Sequence, residues 1–274
     1  MPECELSAYS SKRWFRAVKR VEWGLLVFFK KRGTIPKSPS PLRIAWDSGR
    51  TAIWHNRVPA AILWLFGVVL IGGYFYWPLM EYHLDWLGSF KTRFGVYFSI
   101  LSTAVFGGML PAIVPSLAGR RYPIVKPSNV ISATVFWGLK GLEIDLFYRL
   151  QASVFGNNSE AWTVAVKTLF DQMVYVPLIG VVNIVLFYLW RDQGYSFRKT
   201  YKVLGKHWYS QRVLPLLISN WVVWIPAVAL IYSLPLALQL PIQNLILCFW
   251  VLILAFFTQE IPENPNAEII LPRD

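Results

Sequence analysis

The sequence predicts an all-α integral membrane protein, a polytopic bundle whose helices cross the bilayer several times. Of the 274 residues, 55% are hydrophobic and only 15% are charged, whereas a typical soluble domain is about 25% charged. Aromatic residues make up 16% of the chain, with 14 tryptophans, and tryptophan is enriched where a membrane meets water. The apolar runs are long and do not alternate with polar residues, so they indicate transmembrane helices rather than strands.

Six apolar runs are candidate membrane spans, because about 20 apolar residues cross the hydrocarbon layer as a helix. The clearest run covers residues 58–77 and contains no charged residue. The other five cover residues 94–117, 131–154, 163–190, 213–236 and the shorter 241–257. The sequence therefore predicts about six transmembrane helices within residues 58–257.

The distribution of basic residues predicts that both termini face the cytoplasm. Residues 1–57 contain 12 Lys or Arg against 4 Asp or Glu. The links after the second and fourth runs are also basic, whereas the alternate links are not. Basic segments stay on the cytoplasmic side of a membrane. With six spans, every basic link lies on that side and every other link lies on the opposite side. The predicted location is a bacterial inner membrane or an organelle membrane.

The N-terminal segment, residues 1–57, is predicted to lie on the membrane surface. Apolar residues recur at helical spacing between positions 14 and 28, among five Lys or Arg at positions 12–20. A basic amphipathic helix of this kind binds anionic lipid headgroups; the alternative is an extension that only fixes topology. No nucleic-acid recognition motif accompanies the charge, so nucleic acid is not an expected partner. Residues 258–274 are predicted to form an unstructured acidic tail.

Charged residues within the third and fourth runs are the candidate functional groups. A charge at the bilayer centre costs about 2.5–3.5 kcal/mol on insertion scales, so such residues usually face protein or a watery cavity. They are Lys140, Glu143, Asp145 and Arg149 in the third run, and Lys167 and Asp171, followed by Gln172, in the fourth. Oppositely charged residues three or four positions apart can pair on one helix face. The predicted polar core, namely Asp145, Arg149, Lys167, Asp171 and Gln172, is either a solute path or an ion-pair network that holds helices together.

No catalytic or metal-binding pattern accompanies these charges. The sequence shows no nucleophile with a base, no metal-ligand spacing and no phosphate-binding loop. The two cysteines, Cys4 and Cys248, lie far apart in unlike surroundings. We therefore expect no catalytic residue, no metal and no cofactor, and a membrane-embedded enzyme is the weakest of the functional alternatives.

One stretch of the chain resembles a known family. Residues 167–177, KTLFDQMVYVP, resemble the K-x-x-x-D-Q-x-x-[FY]-x-P signature of the Mpv-17/PMP-22 family of peroxisomal and mitochondrial inner-membrane proteins. Residues 141–148 resemble that family's GP-x-x-H-x-WY stretch, and residues 220–235 resemble its N-[YW]-x-x-W…F…VP segment. Besides the polar residues already named, the matching positions are Gly141, Tyr148, Tyr175, Pro177, Trp221, Trp224, Pro235 and Trp250.

The resemblance covers roughly residues 131–257. It implies a channel-like membrane protein for small solutes or ions, linked to membrane or stress homeostasis. Leu142, Asp145 and Phe147 stand where the family has proline, histidine and tryptophan. The residues alone leave open a structural or assembly protein with no transported substrate, and they leave open a homo-oligomer.

Overall fold

The computed structural model describes residues 41–117 and 126–259. These residues are almost entirely helical and include no strand, which confirms the all-α prediction for this part of the chain. The predicted amphipathic helix between residues 12 and 28 and the tail from residue 260 onward lie outside the described residues.

Nine α-helices follow one another with short links. They are α1 Pro41–Tyr76, α2 Pro78–Thr103, α3 Leu110–Leu117, α4 Pro127–Phe155, α5 Ala161–Phe170, α6 Val181–Asp192, α7 Phe197–Leu204, α8 Leu214–Tyr232 and α9 Leu236–Gln259, counting only residues 41–117 and 126–259. Three further segments are π-helical: Ala104–Met109, Asp171–Gly180 and Tyr209–Val213. Through these segments α2 continues into α3 and α5 continues into α6, and residues 209–232 form one continuous helix.

Four helical stretches of the described chain are long and apolar enough to cross a membrane. They are Arg57–Tyr76, Pro78–Ile113, Ala161–Asp192 and Tyr209–Tyr232. Helix α4, which corresponds to the third predicted span, holds four charged residues and is not among them, and α9 contains a shorter apolar stretch, Leu236–Trp250. Many large apolar side chains on these helices point outward, including Leu101, Leu150 and Leu178. An apolar surface of this extent suits lipid rather than water, so the chain has the character of a helical membrane protein.

Helix α2 extends well beyond the predicted second span, which starts at residue 94. It begins at Pro78, directly after the single linking residue Trp77, and proline is well suited to the first turn of a helix. Near its middle, Gly95 has φ 55° and ψ −129°, a conformation that glycine adopts at little cost because it has no Cβ. The helix therefore kinks at Gly95 instead of starting there. Its first half carries Lys91 into the bundle, where this residue is buried.

Two apolar clusters hold the helices together. The larger joins α1, α8 and α9, with Leu63, Val223, Ile231 and Ile246 among its fully buried members. The smaller joins segment 171–180 and α6 to the start of α8; its members are Val176, Val181, Val185, Val213, Leu216 and Leu217. Helix α4 lies against α2 and segment 104–109. Residues from both clusters form the wall of one cavity.

Candidate functional site

A cavity of about 190 Å³ lies among α4, segment 171–180, α6, α8 and α9, large enough for several water molecules. Seven aromatic side chains form much of its wall: Trp137, Phe147, Tyr148, Tyr175, Tyr188, Trp224 and Trp250. The polar residues on the wall are Lys140, Asp171, Gln172, Asn220 and Gln243. The site is thus a mainly aromatic chamber with a few polar groups, which is typical of small-molecule pockets.

The π-helical geometry of segment 171–180 places its side chains on the cavity wall. In a π-helix each backbone bond closes one residue later than in an α-helix, as seen where the Val181 N–H donates to the Val176 carbonyl. Residues four or five positions apart therefore face the same way. Accordingly, Asp171, Tyr175 and Gly180 line the cavity, as does Val176.

A bond from α8 stabilises this unusual segment. Pro177 has no N–H, so it has no hydrogen to offer the carbonyl five residues earlier, that of Gln172. The indole Nε1 of Trp221 donates to this carbonyl at 2.8 Å. In lipid every backbone group needs a partner, so Trp221 lets the chain keep a proline beside the cavity. The sequence pattern marks both Pro177 and Trp221, but not the contact between the helices.

The Asp171 carboxylate is buried and held by neutral hydrogen-bond donors. The Tyr232 hydroxyl donates to its Oδ2 at 2.6 Å, and the Gln172 Nε2 donates to its Oδ1 at 3.2 Å. Gln151 donates in turn to the Tyr232 hydroxyl. Within residues 41–117 and 126–259, no Lys or Arg forms a salt bridge with Asp171. The Oε1 of Gln172 is buried and has no hydrogen-bond partner in the same part of the chain.

The expected pair between Lys167 and Asp171 does not form. The Lys167 Nζ is buried and has no hydrogen-bond partner among the residues that the structure describes. It lies 5.8 Å from the centre of the Tyr232 ring. The backbone from Lys167 to Asp171 is still α-helical, with the Asp171 N–H donating to the Lys167 carbonyl, so helical spacing allows this pair but does not enforce it. The Tyr232 hydroxyl takes the place next to Asp171 that the sequence pattern predicts for Lys167.

A second polar cluster lies apart from the cavity. The Lys91 Nζ is 2.7 Å from Asp145 Oδ1, and the Arg149 Nε is 3.0 Å from Asp145 Oδ2. The Asp145–Arg149 pair is as predicted, whereas Lys91 is an additional partner from α2. The predicted polar core is therefore divided: Asp171 and Gln172 line the cavity, and Asp145 and Arg149 do not.

Lys140, the one basic residue on the cavity wall within residues 41–117 and 126–259, is paired, as its spacing from Glu143 predicts. Its Nζ lies 2.6 Å from Glu143 Oε1, and the same carboxylate accepts from the Tyr175 hydroxyl at 2.6 Å and from Asn183 Nδ2 at 3.3 Å. The Tyr175 ring stacks on Phe147 with 4.0 Å between centroids. The Lys140 charge is therefore balanced where it meets the cavity.

The positions that carry the family resemblance converge on this region. Tyr148, Tyr175, Trp224 and Trp250 line the cavity, and Tyr148 is hydrogen-bonded to Gln243 of α9. Gly141 faces α2, and the Pro235 carbonyl accepts the first backbone bond of α9, from Leu238 N–H. The sequence pattern misses Gln243, although a polar residue in the apolar run 241–257 was a usable signal.

No family model, curated protein or solved structure matches the chain. Within residues 41–117 and 126–259, no three His, Cys, Asp or Glu side chains lie together as metal ligands would. The cavity and its polar residues are therefore the features of this structure that bear on function.

Proposed function

We propose that this chain is a channel-like membrane protein through which small polar solutes or ions pass by way of the cavity beside Asp171. The observation that carries the proposal is a buried carboxylate on the wall of a cavity within an apolar helical rod. A charge at this depth is costly unless it meets a partner or water. Asp171 has only neutral donors among the described residues, so a cavity that holds water or a polar solute accounts for its presence.

We further propose that the chain is a divergent member of the Mpv-17/PMP-22 family with a role in membrane or stress homeostasis. The support is the grouping of the motif residues. Asp171, Gln172 and four aromatic motif residues line the cavity, and Pro177 with Trp221 keeps segment 171–180 in shape. Motif residues that are far apart in the sequence therefore lie at the cavity or support the segment that forms its wall.

The proposed topology has six spans with both termini in the cytoplasm, in a bacterial inner membrane or an organelle membrane, and it predicts the side of each link. Reporter fusions after Arg121 and Tyr209 are expected to report the cytoplasmic side, because these links are basic. A fusion after Asn158, between α4 and α5, is expected to report the opposite side. An external signal at Tyr209 would contradict the six-span topology.

Substitution Asp171→Asn is expected to keep the protein folded and to change the flux of charged solutes about tenfold, the effect of roughly 1.4 kcal/mol. The Tyr232 hydroxyl can still donate to the amide oxygen. Rotation of the Gln172 amide would let its unpartnered Oε1 accept from the new amide nitrogen. Flux is measured in liposomes with a panel of polyols, inorganic ions and organic ions. Glu160→Gln, at an exposed position outside the cavity, is the matched control.

The alternative function is that of a structural or assembly protein with no transported substrate. The Lys91–Asp145–Arg149 cluster favours it, because these charges join α2 to α4 without lining the cavity. The two functions differ in the same liposome experiment. If no solute in the panel crosses faster than in protein-free liposomes, the channel proposal fails and the structural role stands.

A further inference from the structure

The charged side chains on the cavity wall differ in whether they already form a salt bridge within the protein. The Lys140 ammonium is balanced by Glu143 at 2.6 Å. The Asp171 carboxylate has no such counter-ion in the described part of the chain, and its two partners, Tyr232 and Gln172, are uncharged. Lys167 lies near the Tyr232 ring and is not on the wall. The cavity wall therefore carries one carboxylate that forms no salt bridge within the described residues.

A second acceptor lies beside this carboxylate. Gln172 is 2% exposed, and its Nε2 donates to Asp171, which fixes the side on which Oε1 lies. That oxygen has no hydrogen-bond partner within residues 41–117 and 126–259, although buried acceptors are almost always paired. An anion would be repelled by Asp171 and would offer Gln172 nothing.

The rest of the wall offers ring surface. The polar atoms of three wall aromatics already have protein partners: Trp137 Nε1 donates to Tyr188, Tyr148 is bonded to Gln243, and Tyr175 donates to Glu143. Tyr175 and Phe147 stack on each other, and the Arg191 guanidinium lies over the Tyr188 ring. What remains for a ligand is mainly the ring surface of the other wall aromatics. Such surfaces attract organic cations, and quaternary ammonium compounds are commonly recognised by aromatic cages.

We propose that this cavity is a binding site for a small organic cation of the ammonium class, with Asp171 as its counter-ion. The inference rests on the proposed function and names the solute class for it. The volume of about 190 Å³ limits the ligand to a compact molecule with few non-hydrogen atoms.

The test compares two probes of the same shape, choline and its uncharged isostere 3,3-dimethylbutan-1-ol. Binding to the purified full-length protein in detergent is measured by calorimetry. Choline is expected to bind at least about tenfold more tightly than the alcohol, because only choline carries the charge that Asp171 and the rings attract. Asp171→Asn should weaken choline binding about tenfold and leave the alcohol unaffected, while Glu160→Gln changes neither.

Equal affinity for the two probes, or no binding of choline to the unsubstituted protein, would overturn the inference without reliance on any variant. Solute flux into liposomes made from the same preparation distinguishes failure of the cation site from failure of the proposed channel function. Passage of polyols or anions without choline binding would leave the channel proposal intact and refute the cation site. Choline binding without flux of any solute would keep the site and refute the channel.

Discussion

Replacement of Asp145 by asparagine is expected to destabilise the protein by about 3–5 kcal/mol, the usual cost of removing one member of a buried ion pair. Asp145 and its partner Lys91 are both buried, with side-chain exposures of 5% and 6%. The asparagine keeps the shape but leaves the Lys91 ammonium without a counter-charge in a low-dielectric place. Arg149 is half exposed and can turn outward, so the penalty falls mainly on Lys91.

Thermal unfolding in detergent measures this effect. Arg149→Met is the control and should cost no more than about 1 kcal/mol, since a half-exposed pair contributes little. The double substitution Lys91→Met with Asp145→Leu should recover most of the loss, because no buried charge is then left unpaired. If Asp145→Asn is as stable as Arg149→Met, the cluster does not hold α2 to α4.

The second large effect is expected at Gly141, where α4 is in close contact with α2. A Cβ on Gly141 would lie 2.7 Å from the side chain of Thr103 and would also meet the Ser99 carbonyl. Thr103 is not free to move, because it is buried and its hydroxyl donates to Asn244 of α9 at 3.1 Å. Small residues allow membrane helices to approach closely. Gly141→Ala should therefore destabilise the bundle by about 1–3 kcal/mol, the usual cost of overpacking.

Gly72 is the matched control for this substitution. It also lies in a helix, but a Cβ there would have no atom within 4 Å. Gly72→Ala should leave the melting temperature unchanged or raise it slightly, because alanine favours a helix over glycine. Equal melting temperatures for the two alanine variants would show that α2 and α4 are not in close contact at Gly141.

The helices were largely predictable from hydropathy, and the main differences were the earlier starts of α1, at Pro41 instead of residue 58, and of α2, at Pro78 instead of residue 94. Residues 78–93 carry Glu81, Asp85, Lys91 and Arg93, so they form no apolar run although they are helical. Hydropathy reports contact with lipid and not helicity as such. For the same reason the burial of Lys91 was not predictable, because its partner Asp145 lies on another helix.

The candidate site shows where local spacing stops being informative. Within the regular helix α4, the predicted pairs Lys140–Glu143 and Asp145–Arg149 both form. For Asp171, by contrast, the expected partner Lys167 is replaced by Tyr232 from α8, although the backbone between Lys167 and Asp171 is α-helical. A contact between residues 61 positions apart leaves no trace in helical spacing, so it required the fold.

If the cavity is accessible to water within a membrane-embedded bundle, cysteines on its wall should react with a polar thiol reagent. In a background with Cys4→Ser and Cys248→Ala, single cysteines are introduced by Asn220→Cys on the cavity wall, Leu217→Cys in the apolar core and Leu178→Cys on the outer surface. The protein in liposomes is treated with a charged methanethiosulfonate that does not enter lipid.

We expect the Asn220→Cys protein to react at least about tenfold faster than the other two, a difference of roughly 1.4 kcal/mol or more in access. The Leu217 position is dry, and the Leu178 position, although 65% exposed in the bare protein, would be covered by lipid. A reaction at Asn220→Cys as slow as at Leu217→Cys would show that the cavity is closed to water and would contradict the proposal that solutes pass through it.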